Sequence, residues 1–213
     1  MKSNDTKILF FLMGIQRSGG STLLNAFRRK RNVSVFKEKD KRIFDYFMLR
    51  PEKEIRPFIE KSKPITFIEA KSETKKRDVT DIFSEYSRYS VRIIWNYRDP
   101  VSVYYSRLIK YPYKDWVSDE NGFSEMWNQR NNSILKALKQ HRDHIAIIKL
   151  EDLIECKNVF KQLCDFIGTK GKNTFYSDKV NIGNKLPEAI IKNIQKQTSE
   201  VLNQLDLNRR FLP

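Results

Sequence analysis

Residues 14–22, Gly-Ile-Gln-Arg-Ser-Gly-Gly-Ser-Thr, constrain the fold more than any other stretch of this chain. An apolar run, Ile8 to Met13, comes before them, and a helix-forming run, Thr22 to Arg31, follows. A strand, a tight glycine turn and a helix in that order make a cradle for an oxyanion. Backbone N–H groups of the turn and the positive end of the helix converge on one point, where negative charge is stabilised. The segment nearly fits G-x-x-x-x-G-K-[ST], but Gly20 stands where that pattern has lysine.

The missing lysine bears on the chemistry. A P-loop that cleaves ATP or GTP places that lysine on the β- and γ-phosphates. Here the nearest cation is Arg17, within the loop itself. The loop resembles the 5′-phosphosulfate loop of sulfotransferases, which use 3′-phosphoadenylyl sulfate (PAPS). That pattern is roughly G-x-x-[RK]-S-G-[TG]-[TS]-x-L. Gly14, Arg17, Ser18, Gly19, Gly20, Ser21, Thr22 and Leu24 match it.

A second segment strengthens the resemblance. Val91 to Tyr97 is apolar and rich in β-branched residues, as a buried strand requires. Asp99-Pro100 then reads as a helix start, with Asp99 as cap and Pro100 at the first helical position, followed by a helix to Tyr111. Arg98 falls at the strand end and Ser106 two helical turns along. Sulfotransferases carry an arginine and a serine at this spacing, in an R-[DN]-P-x-x-x-x-x-S context. The resemblance implies that Arg98 and Ser106 grip the 3′-phosphate of PAPS. A guanidinium suits that task because its planar fork donates two parallel hydrogen bonds.

A third segment fits the same family. Ile145 to Leu150 reads as a strand, Glu151-Asp152-Leu153 follows, and a helix from Asn158 to Ile167 ends at Gly168. Glu151 and Asp152 are expected to hold neighbouring backbone or to pair with an arginine. The resemblance spans residues 8–190. It implies an α/β, P-loop-like three-layer fold: a mainly parallel sheet flanked by helices, its ligands at the carboxyl ends of the strands. The length of 213 residues suits one domain over the whole chain. Asn121 to His141 reads as a long amphipathic helix with Phe123, Trp127, Ile134, Leu135 and Leu138 on its core face.

The family's chemistry moves a sulfonate in line from PAPS to a hydroxyl or amine, leaving adenosine 3′,5′-bisphosphate (PAP). By resemblance, Ser18, Gly19, Gly20, Ser21 and Thr22 hold the 5′-phosphate, and Arg17 steadies the charge growing on the bridging oxygen. No metal enters this scheme. A general base must reach the acceptor proton. Three glutamates qualify. Glu69 lies one residue from the glutamate of the E-K-[ST] pattern of glycan sulfotransferases. Glu38, after the short strand Val33 to Phe36, resembles the base position of protein-tyrosine sulfotransferases. Glu73 takes the histidine place in the K-T-H pattern of small-molecule sulfotransferases. Period-2 alternation puts Glu69, Lys71 and Glu73 on one side of a strand starting at Ile65, if the strand runs that far. Lys71 is then placed to meet the sulfonyl group. Lys185, before a helix starting around Pro187, is a further candidate over the nucleotide.

The acceptor is not legible from any motif. Glutamate base candidates and a net charge of +15, from 41 Lys+Arg against 26 Asp+Glu, favour a sugar hydroxyl as acceptor, and the charge balance also suits an acidic glycan, a membrane surface or nucleic acid as partner. Peptide tyrosines, lipids and small alcohols also fit. No motif that reads DNA or RNA is present. Cys156 and Cys164 do not make a disulfide scaffold. No apolar run approaches the ~20 residues of a membrane span, so the chain looks like a cytoplasmic, bacterial-type member. A P-loop kinase or NTPase with a degenerate loop, and a non-catalytic basic protein that binds nucleotides or nucleic acid, are the alternatives.

Overall fold

The computed structural model describes residues 7–28, 30–71, 78–110, 119–173 and 185–211. Five parallel strands form one sheet: β1 (Ile8–Gly14), β2 (Val33–Phe36), β5 (Ile65–Glu69), β6 (Ser90–Tyr97) and β7 (Ile145–Lys149), in the order β2-β5-β1-β6-β7. A two-stranded hairpin, β3 (Phe44–Asp45) with β4 (Met48–Leu49), stands apart from it. This is the expected α/β architecture.

Alternation along the strands sorts side chains to two faces. On β1, Leu9, Phe11 and Met13 join one core, and Phe10 and Leu12 join the other. β6 and β7 follow the same rule, with Ile93, Trp95, Ile145 and Ile147 on the first face and Ile94, Ala146 and Ile148 on the second. The first face is covered by α2 (Glu52–Glu60), α3 (Val79–Glu85), α4 (Pro100–Lys110), α5 (Glu120–His141) and α8 (Glu188–Leu207). The second is covered by α1 (Gly20–Phe27), α6 (Leu150–Glu155) and α7 (Lys157–Ile167). Each fully buried Leu, Ile or Phe is worth ~1.5–3 kcal/mol, so both cores drive the layering.

Local signals set the ends of these elements. The Asp99 carboxylate accepts from the backbone N–H of Ser102 at 2.7 Å, with Pro100 first in α4. Gly168 closes α7 at φ 77°, and its N–H bonds the Cys164 carbonyl at 3.0 Å. Two ends differ from expectation. α1 stops at Phe27 rather than Arg31, because the chain turns at Lys30, whose N–H bonds the Phe27 carbonyl, to start β2. β5 stops at Glu69, where its pairing with β1 runs out: the Ala70 N–H makes the last bond, to the Leu12 carbonyl.

One topological fact places the site. β1 and β6 are neighbours, paired from Ile8 with Ser90 to Gly14 with Asn96. α1, which follows β1, lies on the second face, and α4, which follows β6, lies on the first. Two chains leaving adjacent strands toward opposite faces open a crevice at the carboxyl edge of the sheet.

Candidate functional site

Two residues meet across that crevice, and Arg98 stands at the end of β6 beside it. Arg17, from the loop after β1, donates its Nε–H to Ser106 Oγ at 2.9 Å. Arg98, at the end of β6, lies near enough for the Arg17 charge to push its guanidinium pKa down. Arg98 is 5% exposed and Ser106 6%. Burial is the larger cause of the Arg98 shift, and Glu151 and Asp99 oppose it. The Arg98 Nε lies 3.7 Å from Glu151 Oε1. Burial in turn raises the Glu151 pKa above the usual carboxylate range, and its Oε1 also accepts from the Asp99 N–H at 3.4 Å. Two arginines at the carboxyl edge of neighbouring strands suit a site that receives an oxyanion.

The loop is shaped around missing side-chain atoms. A Cβ on Gly14 would fall 2.2 Å from the Asn96 carbonyl oxygen. Arg17 sits in the left-handed region at φ 78°, which non-glycine residues rarely occupy and which clusters at functional loops. Asn96, 1% exposed, donates its Nδ2–H to the Ser18 carbonyl and so pins the loop to β6. The buried Ser18 hydroxyl and Asn96 Oδ1 have no hydrogen-bond partner among the described residues. Nothing singled out Asn96 in the sequence except its polarity within an apolar strand.

Lys71 supplies a second cation, beside Arg17, at the point where the loop enters α1. Its Nζ lies 2.5 Å from Glu69 Oε1 and 3.4 Å from Ser21 Oγ, and Ser21 Oγ donates to the same Glu69 oxygen at 3.2 Å. A Cβ on Gly20 would fall 2.7 Å from Lys71 Cε and 3.2 Å from its Nζ. Gly20 therefore leaves the lane through which the lysine crosses the start of α1. Replacing Gly20 with alanine is expected to push the ammonium off Ser21 and Glu69. We expect a loss of nucleotide affinity that Lys71→Ala largely masks, measured as non-additivity in a double-mutant cycle by calorimetry.

The sequence expected Arg17 at one end of the nucleotide and the Arg98–Ser106 pair at the other; the structure sets Arg17 directly on Ser106. Glu69 and Lys71 share one side although β5 has ended between them. Glu38 is half-buried in the turn that follows β2, two residues past its last paired residue, Phe36. Glu73 lies outside the described residues. Gly19 and Gly20 form the turn into α1, with Thr22 half-buried in its first turn. Lys185 is exposed ahead of Pro187, the N-cap of α8. Asp152 pairs with Arg209 at 2.6 Å, so it and Glu151 take the supporting places expected of them. Among the described residues no helix is long and apolar enough to cross a membrane.

No family model matches the chain, and no curated protein does. Solved structures do match. A sulfotransferase from Alicyclobacillus acidocaldarius superposes with a TM-score of 0.63 at 14% identity, covering 95% of this chain and 96% of that one. Mouse sulfotransferase SULT7A1 complexed with PAP gives 0.61 at 12% identity, over 97% and 87%. The sulfotransferase domain of the Synechococcus PCC 7002 olefin synthase gives 0.56 at 12% identity, over 100% and 98%. At such identities the likeness is one of backbone path, and it extends along nearly the whole length of each partner. The chain has the sulfotransferase fold.

Proposed function

We propose that this protein is a sulfotransferase that moves a sulfonate from PAPS to a hydroxyl or amine acceptor, with a carbohydrate hydroxyl favoured. The observation that carries the reading is the Arg17–Ser106 hydrogen bond across the crevice between β1 and β6, with the buried Arg98 at the end of β6. ATP and GTP have no phosphate for such a group; a 3′-phosphorylated adenosine does. That a solved relative in fold is a PAP complex supports the same donor class.

In this reading Arg98, Ser106 and Arg17 hold the 3′-phosphate. Backbone N–H groups at the start of α1, with the hydroxyls of Ser21 and Thr22, hold the 5′-phosphate. Lys71, poised on Ser21, neutralises charge that grows on the bridging oxygen as the sulfur–oxygen bond breaks. Glu69 is the first choice for the base. It would take the proton of the acceptor hydroxyl as Lys71 shifts from its carboxylate toward the sulfonyl group. Glu38 and Glu73 are the alternatives, and Lys185 is a lesser candidate over the nucleotide. The whole chain would act as one domain. A location in the cytoplasm is part of the same proposal.

The test is thermal melting with PAP, with ADP, and with ATP plus Mg²⁺. Ligand at a hundredfold its Kd stabilises the folded state by ~2.7 kcal/mol. In a domain of this size that is roughly a 5–10 °C rise in Tm. We expect that rise with PAP and a small fraction of it with the other two. Equal or larger shifts with ATP and Mg²⁺ would replace this reading with a nucleotidase or kinase.

A further inference from the structure

The amino edge of the sheet, opposite the crevice, gathers positive charge. Three segments meet there: residues 28–32 lead from α1 into β2, 61–64 lead from α2 into β5, and 168–173 follow α7. Hydrogen bonds tie them together. The Ile65 N–H bonds the Asn32 carbonyl at 3.3 Å, and the Lys63 N–H bonds Ser34 Oγ at 3.0 Å. The Thr169 hydroxyl donates to Asn32 Oδ1 at 3.2 Å, and the Lys172 N–H to the Ala26 carbonyl at 3.1 Å. Six exposed cations stand on these segments: Arg28, Arg31, Lys61, Lys63, Lys170 and Lys172. None of the three segments contains an Asp or a Glu. The nearest acids in sequence are Glu60 and Asp165, in the last turns of α2 and α7.

Such cations have a local duty. Three helices end at this edge, and positive charge near a helix C-terminus is favourable. Lys7 and Lys63 perform it. Lys7 Nζ donates to the Ile59 and Ser62 carbonyls at 2.5 and 2.6 Å, and Lys63 Nζ to the Lys30 carbonyl at 3.4 Å. The side chains of Arg28, Arg31, Lys61, Lys170 and Lys172 make no hydrogen bond or ion pair among the described residues. Like charges gathered on one edge raise a positive potential that draws an anionic partner.

Residue types select the partner. The three segments hold no aromatic residue, so nucleic-acid bases have nothing to stack on and a protein partner has no aromatic anchor. α1, α2 and α7 reach this edge by their ends, so none offers its side to a DNA groove. Four of the six exposed cations are lysines, which are point charges on flexible stems and impose no fixed geometry. A fluid layer of anionic headgroups asks for charge without geometry. We propose that the amino edge of the sheet docks on an anionic lipid surface. The crevice at the carboxyl edge then faces away from the lipid, open to acceptors from the aqueous side. That orientation rests on the sulfotransferase reading; the docking does not.

Cosedimentation of the full chain with vesicles is the test. We expect binding to phosphatidylcholine vesicles that contain phosphatidylserine, and none to phosphatidylcholine alone. The variant Lys61→Gln/Lys170→Gln/Lys172→Gln should bind on the order of a hundredfold more weakly, at about fivefold per cation. The variant Lys53→Gln/Lys192→Gln/Lys196→Gln removes the same charge from exposed positions on α2 and α8, and its binding should change little. Equal losses in the two variants would mean that net charge alone holds the lipid, and would overturn the proposal. Tighter binding of wild type to duplex DNA than to the mixed vesicles, lost in the first variant, would give the edge to nucleic acid and overturn it as well. Melting curves guard against a purely structural role. The first variant is expected to keep the wild-type Tm; a lowered Tm with vesicle binding intact would leave these lysines serving the helix ends alone, against the proposal. PAP affinity is expected to be the same in all three proteins. Failure of PAP to bind wild type would remove the sulfotransferase reading and the orientation with it, while vesicle binding lost in the first variant would still support the docking.

Discussion

Arg98→Ala is expected to cost about 2–5 kcal/mol of PAP binding, the usual loss when one side of a buried charge pair is removed. At ~1.4 kcal/mol per tenfold, that is a weakening of roughly thirty- to several-thousandfold. ADP has no 3′-phosphate, so its affinity should change little, and the preference for PAP over ADP should collapse. Calorimetric titration of both ligands into both proteins checks this. Retained preference in the variant would take Arg98 out of the phosphate group. The same substitution has a signature in stability. Burial already raises the Glu151 pKa above its unfolded value, against the pull of Arg98. A carboxyl raised on folding is held protonated more tightly by the native state. Its contribution is thus favourable at low pH and is lost as pH rises from the unfolded pKa through the folded one. Without Arg98 the rise in pKa grows. Arg98→Ala should therefore lose stability more steeply than wild type between the ordinary carboxylate range and neutrality. Adding Glu151→Gln should flatten that slope. Melting curves across that range decide the matter, and parallel curves would mean that Glu151 does not feel Arg98.

Gly14→Ala is expected to be the most damaging single methyl in the described chain. The added carbon would stand 2.2 Å from the Asn96 carbonyl oxygen, which is backbone in the middle of the sheet and has nowhere to move. The position also has φ 123°, outside the range that suits an L side chain. A clash and backbone strain together place the loss at about 4 kcal/mol or more, in the exceptional tail for point substitutions. Gly168→Ala is the control. Gly168 also has positive φ, 77°, but a Cβ there meets nothing within 4 Å. Its cost should be only the left-handed penalty, ~1–2 kcal/mol. Urea unfolding of the two variants tests the order. A Gly14→Ala protein as stable as Gly168→Ala would mean that β1 and β6 are further apart at this point than the structure has them.

Much of the fold was legible because its signals are local. The apolar alternation of β6, the Asp99-Pro100 start of α4 and the Gly168 stop of α7 all depend on neighbouring residues. α2 was hidden by its own sequence. Pro57 reads as a breaker and charges dilute the pattern, yet Ile55 and Ile59 bury fully and hold the helix to the first core. The site was legible as residue types and illegible as a meeting. Arg17 and Ser106 are 89 positions apart, and only the order of strands says that they touch. Lys71 and Gly20 carry no shared pattern; their relation is a matter of one absent methyl group.

The route of Lys71 over Gly20 has a consequence for anyone who would move this loop elsewhere. Its ammonium is contributed by a residue fifty positions downstream of Ser21, from the end of another strand. The glycine-rich turn is thus half of a device and not a portable cassette. Transplanted alone onto a foreign strand–helix junction, residues 14–22 would keep Arg17 but arrive without the ammonium that meets Ser21. A working graft would have to carry β5 and its first turn as well.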